Sequence, residues 1–110
     1  MSVEVEGMWL MELLGRDGWE AIGTAFIEGG RYLRGSSNAC TVGTYRVDGD
    51  TITIEATTSL FEGARTIYGR SSGQVQIKYE AKIQDGALEG GASDGEYTTR
   101  FRGRRVGDLP

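Results

Sequence analysis

Apolar and polar residues alternate strictly over residues 74–84. The apolar members of this stretch share one parity: Val75, Ile77, Tyr79, Ala81 and Ile83. The other parity carries only charged and amide side chains. Because successive side chains of a β-strand point to opposite faces, this pattern predicts a strand with one apolar face and one wet face. A strand of this length spans about 35 Å, which is typical of a curved antiparallel sheet or a barrel.

Segments of strand character recur along the rest of the chain, separated by turns rich in glycine and aspartate. They cover residues 3–14, 19–28, 31–36, 39–48, 51–59, 87–91 and 96–105, and residues 66–70 form a further short candidate. The turn Asp48-Gly49-Asp50 is the clearest hairpin signal, since Asp-Gly favours the geometry that joins two antiparallel strands. No segment shows a sustained helical period.

These segments predict an all-β fold, a small up-and-down antiparallel β-barrel of about eight strands. Closure of the sheet would remove the exposed edges that an open sheet leaves. Glycine is abundant, with 18 residues among 110, and single glycines inside strands permit the sharp coiling that a small barrel needs. We expect one domain over residues 1–110, with the barrel core at residues 3–106 and a short tail at residues 107–110.

The composition argues against catalysis and against metal binding. The chain has no histidine, which is the commonest general base and transition-metal ligand, and it has a single cysteine, Cys40. Its paired carboxylates occur only in turns, where nothing buries them beside an acid–base partner. We therefore expect a protein that is not an enzyme and that has no catalytic residues, no metal site and no cofactor.

The charge and the N-terminal residues bear on partners and location. A net charge of −4 argues against nucleic acid as the main partner. Residues 1–6 hold two acids and no basic residue, so a signal peptide is not expected, and the longest apolar run is too short to span a membrane. The lone Cys40 fits a reducing compartment and is expected to be a packed residue. These observations favour a cytoplasmic protein with no membrane contact.

Six aromatic side chains are expected to project into the interior of the barrel: Trp9, Trp19, Tyr45, Tyr79, Tyr97 and Phe101. Small barrels either hold a hydrophobic ligand in this space or fill it with side chains. Many of the other inward positions are glycine or alanine, which leaves room for a ligand. Both interpretations stay open, and five of these aromatics, all but Trp19, are the candidate ligand-pocket residues.

The first two strands carry apolar residues on the parity that should face outward: Met8, Leu10, Leu14, Ile22 and Phe26. An apolar surface shared by two adjacent strands is typical of a protein interface. The alternative is cover by a loop or tail of the same chain. We favour self-association, in its simplest form a two-fold homodimer.

Two groups of arginines near the C-terminus suggest further roles. Arg100, Arg102 and Arg104 share the outward parity of the last strand, where they could meet phosphates or pair with acids of a neighbouring strand. The pair Arg104-Arg105 and the segment Gly7-Met8-Trp9 are similar to the lipocalin arrangement, in which a terminal arginine lies over the indole of a Gly-x-Trp strand. Such a cation–π pair would close the base of the barrel.

A set of glycine, turn and aromatic positions runs along nearly the whole chain. They are Gly7-x-Trp9, Gly43-x-Tyr45-x-x-Asp48-Gly49-Asp50-Thr51-Ile52, Tyr68-Gly69, Glu89-Gly90, Phe101-x-Gly103-Arg104-Arg105 and Asp108-Leu109-Pro110. Together they resemble the GrlR-like family of small negative regulators associated with type III secretion. The resemblance implies a dimeric barrel similar to calycins that binds another protein, a transcriptional regulator.

The family's founding repressor binds its activator through an acidic Glu-Asp-Glu-Asp turn, and by register that turn falls on Val47-Asp48-Gly49-Asp50. Two of the four acids, Asp48 and Asp50, are present here, so the resemblance implies that these two dock a partner. The leading hypothesis is a regulatory or adaptor protein. The alternative is a calycin-like carrier of a small hydrophobic ligand.

Overall fold

The computed structural model describes residues 5–37, 39–61 and 74–109, and these residues contain eight β-strands. The strands are β1 (Gly7–Gly15), β2 (Gly18–Glu28), β3 (Arg31–Gly35), β4 (Ala39–Asp48), β5 (Thr51–Leu60), β6 (Gln74–Gln84), β7 (Ala87–Ser93) and β8 (Thr98–Gly107). Each strand pairs antiparallel with its neighbours in sequence, and β8 pairs with β1 to close the barrel. The predicted all-β, up-and-down barrel of about eight strands is confirmed.

Strand boundaries differ from the prediction by a few residues at several places. β1 begins at Gly7, and residues 3 and 4 of its predicted span lie outside the described residues, as does the candidate strand at residues 66–70. β7 continues to Ser93. β8 begins at Thr98 instead of residue 96, because an Asp94 oxygen accepts the backbone N–H groups of Glu96 and Tyr97 at 2.9 and 2.8 Å. This side-chain cap holds the turn in a form that the strand pattern does not reveal.

The interior is filled by large side chains at its centre. Trp9, Met11, Tyr32, Tyr79 and Phe101 are all essentially inaccessible to solvent. The ring centroids of Tyr32 and Tyr79 lie 6.0 Å apart, and those of Tyr79 and Phe101 lie 5.0 Å apart. Tilted rings at these separations contribute more stability to a core than their buried area alone would provide. The β6 strand supplies the inward Tyr79, as its alternation predicted.

A β-bulge in β2 changes which face of the sheet the side chains before it point to. The register passes from Met11 opposite Gly23 to Glu12 opposite Ala21, so Ile22 is the extra residue. Gly23 has a φ of +121°, a region that side chains disfavour. Ile22 therefore packs against the core, and its predicted place on the outer face is wrong. Trp19 lies opposite the outward Leu14, so its predicted place in the interior is also wrong.

The base of the barrel is closed by hydrogen bonds. The indole N–H of the buried Trp9 donates to the carbonyl oxygen of Val5 at 2.8 Å. The guanidinium of Arg105 donates to the carbonyl oxygen of Glu6 at 2.9 and 3.2 Å and pairs with Asp108. Among the described residues no cation–π contact joins Arg105 to Trp9, so the predicted arginine–indole pair is corrected to an arginine–carbonyl contact.

Candidate functional site

An apolar row crosses the outer face of four strands. Met8 lies opposite Phe26, Phe26 opposite Leu33, and Leu33 opposite Val42. We call Met8, Phe26, Leu33 and Val42 the outer apolar row. Adjacent strands are about 4.8 Å apart, so the row is about 14 Å long. Facing side chains at this spacing form one continuous apolar surface.

The row is open to solvent within the single chain. Phe26, Leu33 and Val42 are 40%, 41% and 53% exposed. Val106, which is 50% exposed, lies in β8 next to Gly107, the partner of Met8 in the register. The exposed apolar surface therefore continues from β8 to β4. An exposed apolar patch of this kind is typical of interaction surfaces.

The predicted interface residues are only partly gathered here. Met8 and Phe26 belong to the row, and Leu10 follows two residues along β1. Leu14 lies about 20 Å from Met8 along β1 and faces Trp19 instead. Leu33 and Val42 were missed, because only the strand register shows that they continue the surface begun by Met8 and Phe26. Cys40 is exposed and is not the packed residue that was expected.

The acidic turn between β4 and β5 is a solvent-exposed hairpin end. Gly49 has a φ of +67°, which the Asp-Gly pair predicted. The Lys82 ammonium lies 3.3 Å from an Asp50 oxygen, and this hydrogen-bonded ion pair holds the pKa of the Asp50 carboxyl below its ordinary value. Asp48 is exposed and has no ion pair with any described residue. Of the two candidate docking acids, Asp48 thus carries the uncompensated charge.

Two of the three outward arginines of β8, Arg100 and Arg102, are engaged by their own chain. The Nε of Arg102 lies 2.6 Å from a Glu12 carboxylate oxygen. The same guanidinium lies 4.0 Å from the centroid of Trp19, and that of Arg100 lies 6.0 Å from it. These contacts fit the alternative of a cross-strand ladder of charged residues better than a phosphate-binding stripe.

The predicted pocket aromatics divide between interior and surface. Trp9, Tyr79 and Phe101 are buried in the barrel, as predicted. Tyr45 is half-buried and packs at the margin of the core. Tyr97 is 55% exposed and precedes the start of β8, so its predicted place in the interior is wrong.

A buried arginine, Arg34 of β3, lies inside the barrel and is only 8% exposed. Its Nη1 donates to the hydroxyls of Tyr32 and Tyr79 at 3.0 and 2.9 Å, and its Nη2 donates to Oγ1 of Thr41 at 2.9 Å. The Thr41 hydroxyl lies 2.8 Å from that of Thr58, which completes a chain of polar contacts. The guanidinium carbon also lies 5.9 and 5.7 Å from the ring centroids of Tyr32 and Tyr79.

The electrostatics of this cluster keep Arg34 charged and Tyr32 neutral. Burial disfavours the charged guanidinium, but the Tyr32 and Tyr79 oxygens beside it outweigh that effect and raise the pKa of Arg34 above its ordinary value. Burial raises the pKa of Tyr32 above its ordinary value as well. At neutral pH the cluster therefore holds one positive charge that Tyr32 does not neutralise.

Sequence reasoning missed this cluster. The segment Arg31-Tyr32-Leu33-Arg34 has one apolar or aromatic residue and one arginine on each parity, so alternation does not decide which arginine faces inward. The register settles the matter, because Tyr32 and Arg34 face the inward Ile27 and Ala25 of β2. No signal in the sequence of this segment distinguishes the two arginines.

No group of three or more histidine, cysteine or acidic side chains within residues 5–37, 39–61 and 74–109 could hold a metal ion. The described part of the chain also contains no helix with the length and apolarity needed to cross a membrane. Comparisons with family models, curated proteins and solved structures found no match to this chain.

Proposed function

We propose that this protein is a non-enzymatic regulatory or adaptor protein that acts as a homodimer and binds another protein. The observation that carries the proposal is the outer apolar row, an exposed apolar surface across β1 to β4. The resemblance to the GrlR-like negative regulators supports the same role and a cytoplasmic location. Two copies related by a two-fold axis would each bury the same row.

If two copies associate through the outer apolar row, a charge placed in the row should weaken the dimer. Phe26→Glu should weaken the dimer at least about 30-fold, which corresponds to the ~2 kcal/mol of a central interface side chain. Phe61→Glu is the matched control, since Phe61 is a similarly exposed phenylalanine outside the row. Sedimentation velocity at micromolar concentration measures both variants. A wild-type protein that sediments only as the 11.9 kDa chain would refute the dimer.

If a partner docks on the acidic turn, a substitution there should remove partner capture without affecting the dimer. Asp48→Lys should abolish capture of the partner, because Asp48 is the acid of the turn that has no ion pair with a described residue. Asp17→Lys is the control: it reverses the same charge in the exposed turn between β1 and β2, at the opposite end of the barrel. The measurement is affinity capture from the host lysate with quantitative mass spectrometry. Equal capture by both variants would exclude the docking role.

A second proposal is a calycin-like carrier that binds a small hydrophobic ligand inside the barrel. The observation that favours it is the Arg34 cluster, since a packed core has no need of a buried charge. The tilted, closely packed rings of Tyr32, Tyr79 and Phe101 limit the space that such a ligand could occupy. Any ligand would therefore be small.

A further inference from the structure

Arg34 is a buried charge whose observed partners are all neutral. Its hydrogen bonds go to two phenols and one threonine hydroxyl, and it makes no ion pair with a carboxylate in the described part of the chain. Buried charges in proteins are normally paired with an opposite charge, since removal from water is costly. The site therefore lacks one negative charge that its chemistry favours.

The Arg34 guanidinium also has N–H groups that make no hydrogen bond with a described residue. Nη1 donates to Tyr32 and Tyr79 and Nη2 donates to Thr41, which leaves Nε–H and one N–H of Nη2 without a described partner. Every fully enclosed side-chain nitrogen and oxygen among the described residues has a partner. The Nε atom of Arg34 is consequently not fully enclosed, in keeping with the 8% exposure of the residue.

The surroundings of Arg34 are small and mixed in polarity. The strand register places Ala25 and Thr41 opposite Arg34, Thr58 opposite Thr41, and Val75 opposite Thr58. Ala25 and Val75 are buried and apolar, whereas the two threonines carry hydroxyls that can donate or accept. Towards the centre of the barrel the rings of Tyr32 and Tyr79 close the space.

We propose that Arg34 is the anchor of a binding site for a small monocarboxylate, with the carboxylate on its Nε–Nη2 edge and a short apolar body towards Val75, which like Arg34 keeps 8% of its surface exposed. The fork of a guanidinium matches a carboxylate in a two-bond geometry. One buried positive charge balances one negative charge, so the hydrogen phosphate dianion would leave a charge uncompensated. The rings of Tyr32 and Tyr79 restrict the ligand to a short-chain or single-ring acid.

This inference deepens the carrier proposal and rests on it for the location of the ligand in the barrel. It does not depend on the dimer or on the acidic turn. It adds the chemical class of the ligand, which the apolar interior alone does not specify. The test must therefore separate recognition of charge from recognition of an apolar body.

The test is an NMR titration of the ¹⁵N-labelled wild-type protein. Sodium benzoate is the probe, benzamide is its uncharged match, and sodium phosphate is the inorganic anion, all at an ionic strength held constant with sodium chloride. The side-chain Nε–H of Arg34 and the backbone N–H of Thr41 report on the site. We expect saturable shifts with benzoate and none with benzamide or phosphate.

Each other outcome overturns the inference in its own way. Equal shifts with benzoate and benzamide would refute charge recognition and leave the carrier proposal standing. Shifts with phosphate alone would refute the carboxylate. An absence of shifts with any probe would refute the site and count against the carrier as well. Shifts outside the barrel interior would place the ligand elsewhere and refute the site.

A variant tests the anchor directly. Arg34→Lys keeps the positive charge but loses the planar fork, so affinity for benzoate should fall at least about tenfold. Its disappearing Nε–H signal also assigns the Arg34 resonance in the wild-type spectrum. Unchanged affinity in a folded Arg34→Lys protein would overturn the role of Arg34, and the wild-type titration stands if that variant does not fold.

Discussion

Arg34→Met is expected to destabilise the barrel by about 2–4 kcal/mol, because it leaves buried hydroxyls without their donor. Tyr32 and Tyr79 are both inaccessible to solvent, and each accepts a hydrogen bond from Arg34. An unpaired buried hydroxyl costs about 1–3 kcal/mol, and relief from burying the guanidinium offsets part of the sum. Urea denaturation with an unchanged m-value measures the loss.

Two companion variants identify the cause. Adding Tyr32→Phe and Tyr79→Phe to Arg34→Met removes the stranded hydroxyls and should restore most of the lost stability. The two Phe substitutions in the presence of Arg34 should destabilise strongly, because the guanidinium keeps only Thr41 as a hydrogen-bond partner. A triple variant as unstable as Arg34→Met alone would contradict this account. The comparison is a thermodynamic cycle over three touching residues.

The fold could be predicted because alternation and turns act locally. The pattern at residues 74–84 depends only on the pleat of one strand, and β6 follows it with Val75, Ile77, Tyr79 and Ala81 buried. The Asp48-Gly49 turn likewise depends on the backbone preference of two adjacent residues. Neither feature requires knowledge of which strands pair.

The candidate sites could be predicted less completely than the fold, because they depend on the register between strands. A single extra residue at Ile22 reverses the facing of Trp19, and no alternation count reveals such a bulge. Leu33 and Val42 extend the surface of Met8 and Phe26 only through the pairing of four strands. The Arg34 side chain points inward because Arg34 pairs with the inward-facing Ala25.

The close approach of β6 to β7 at Gly90 predicts the second large effect on stability. Gly90 faces Ala81 in the register, and a Cβ atom on Gly90 would meet the carbonyl oxygen of Glu80 and lie 2.6 Å from the Cα of Ala81. Both obstacles are backbone atoms of a paired strand, so no side-chain rotation relieves the clash. Gly90→Ala should therefore cost about 3 kcal/mol or prevent closure of the barrel.

The adjacent glycine supplies the control for this argument. A Cβ on Gly91 would meet its nearest atoms, in Thr98 and Thr99, at 3.7 Å, an ordinary contact distance. Gly91→Ala should change stability by no more than about 0.5 kcal/mol, with any gain coming from a less flexible unfolded chain. Thermal and urea unfolding of the two variants make the comparison. If both substitutions are tolerated equally, the close β6–β7 approach does not explain why glycine occupies position 90.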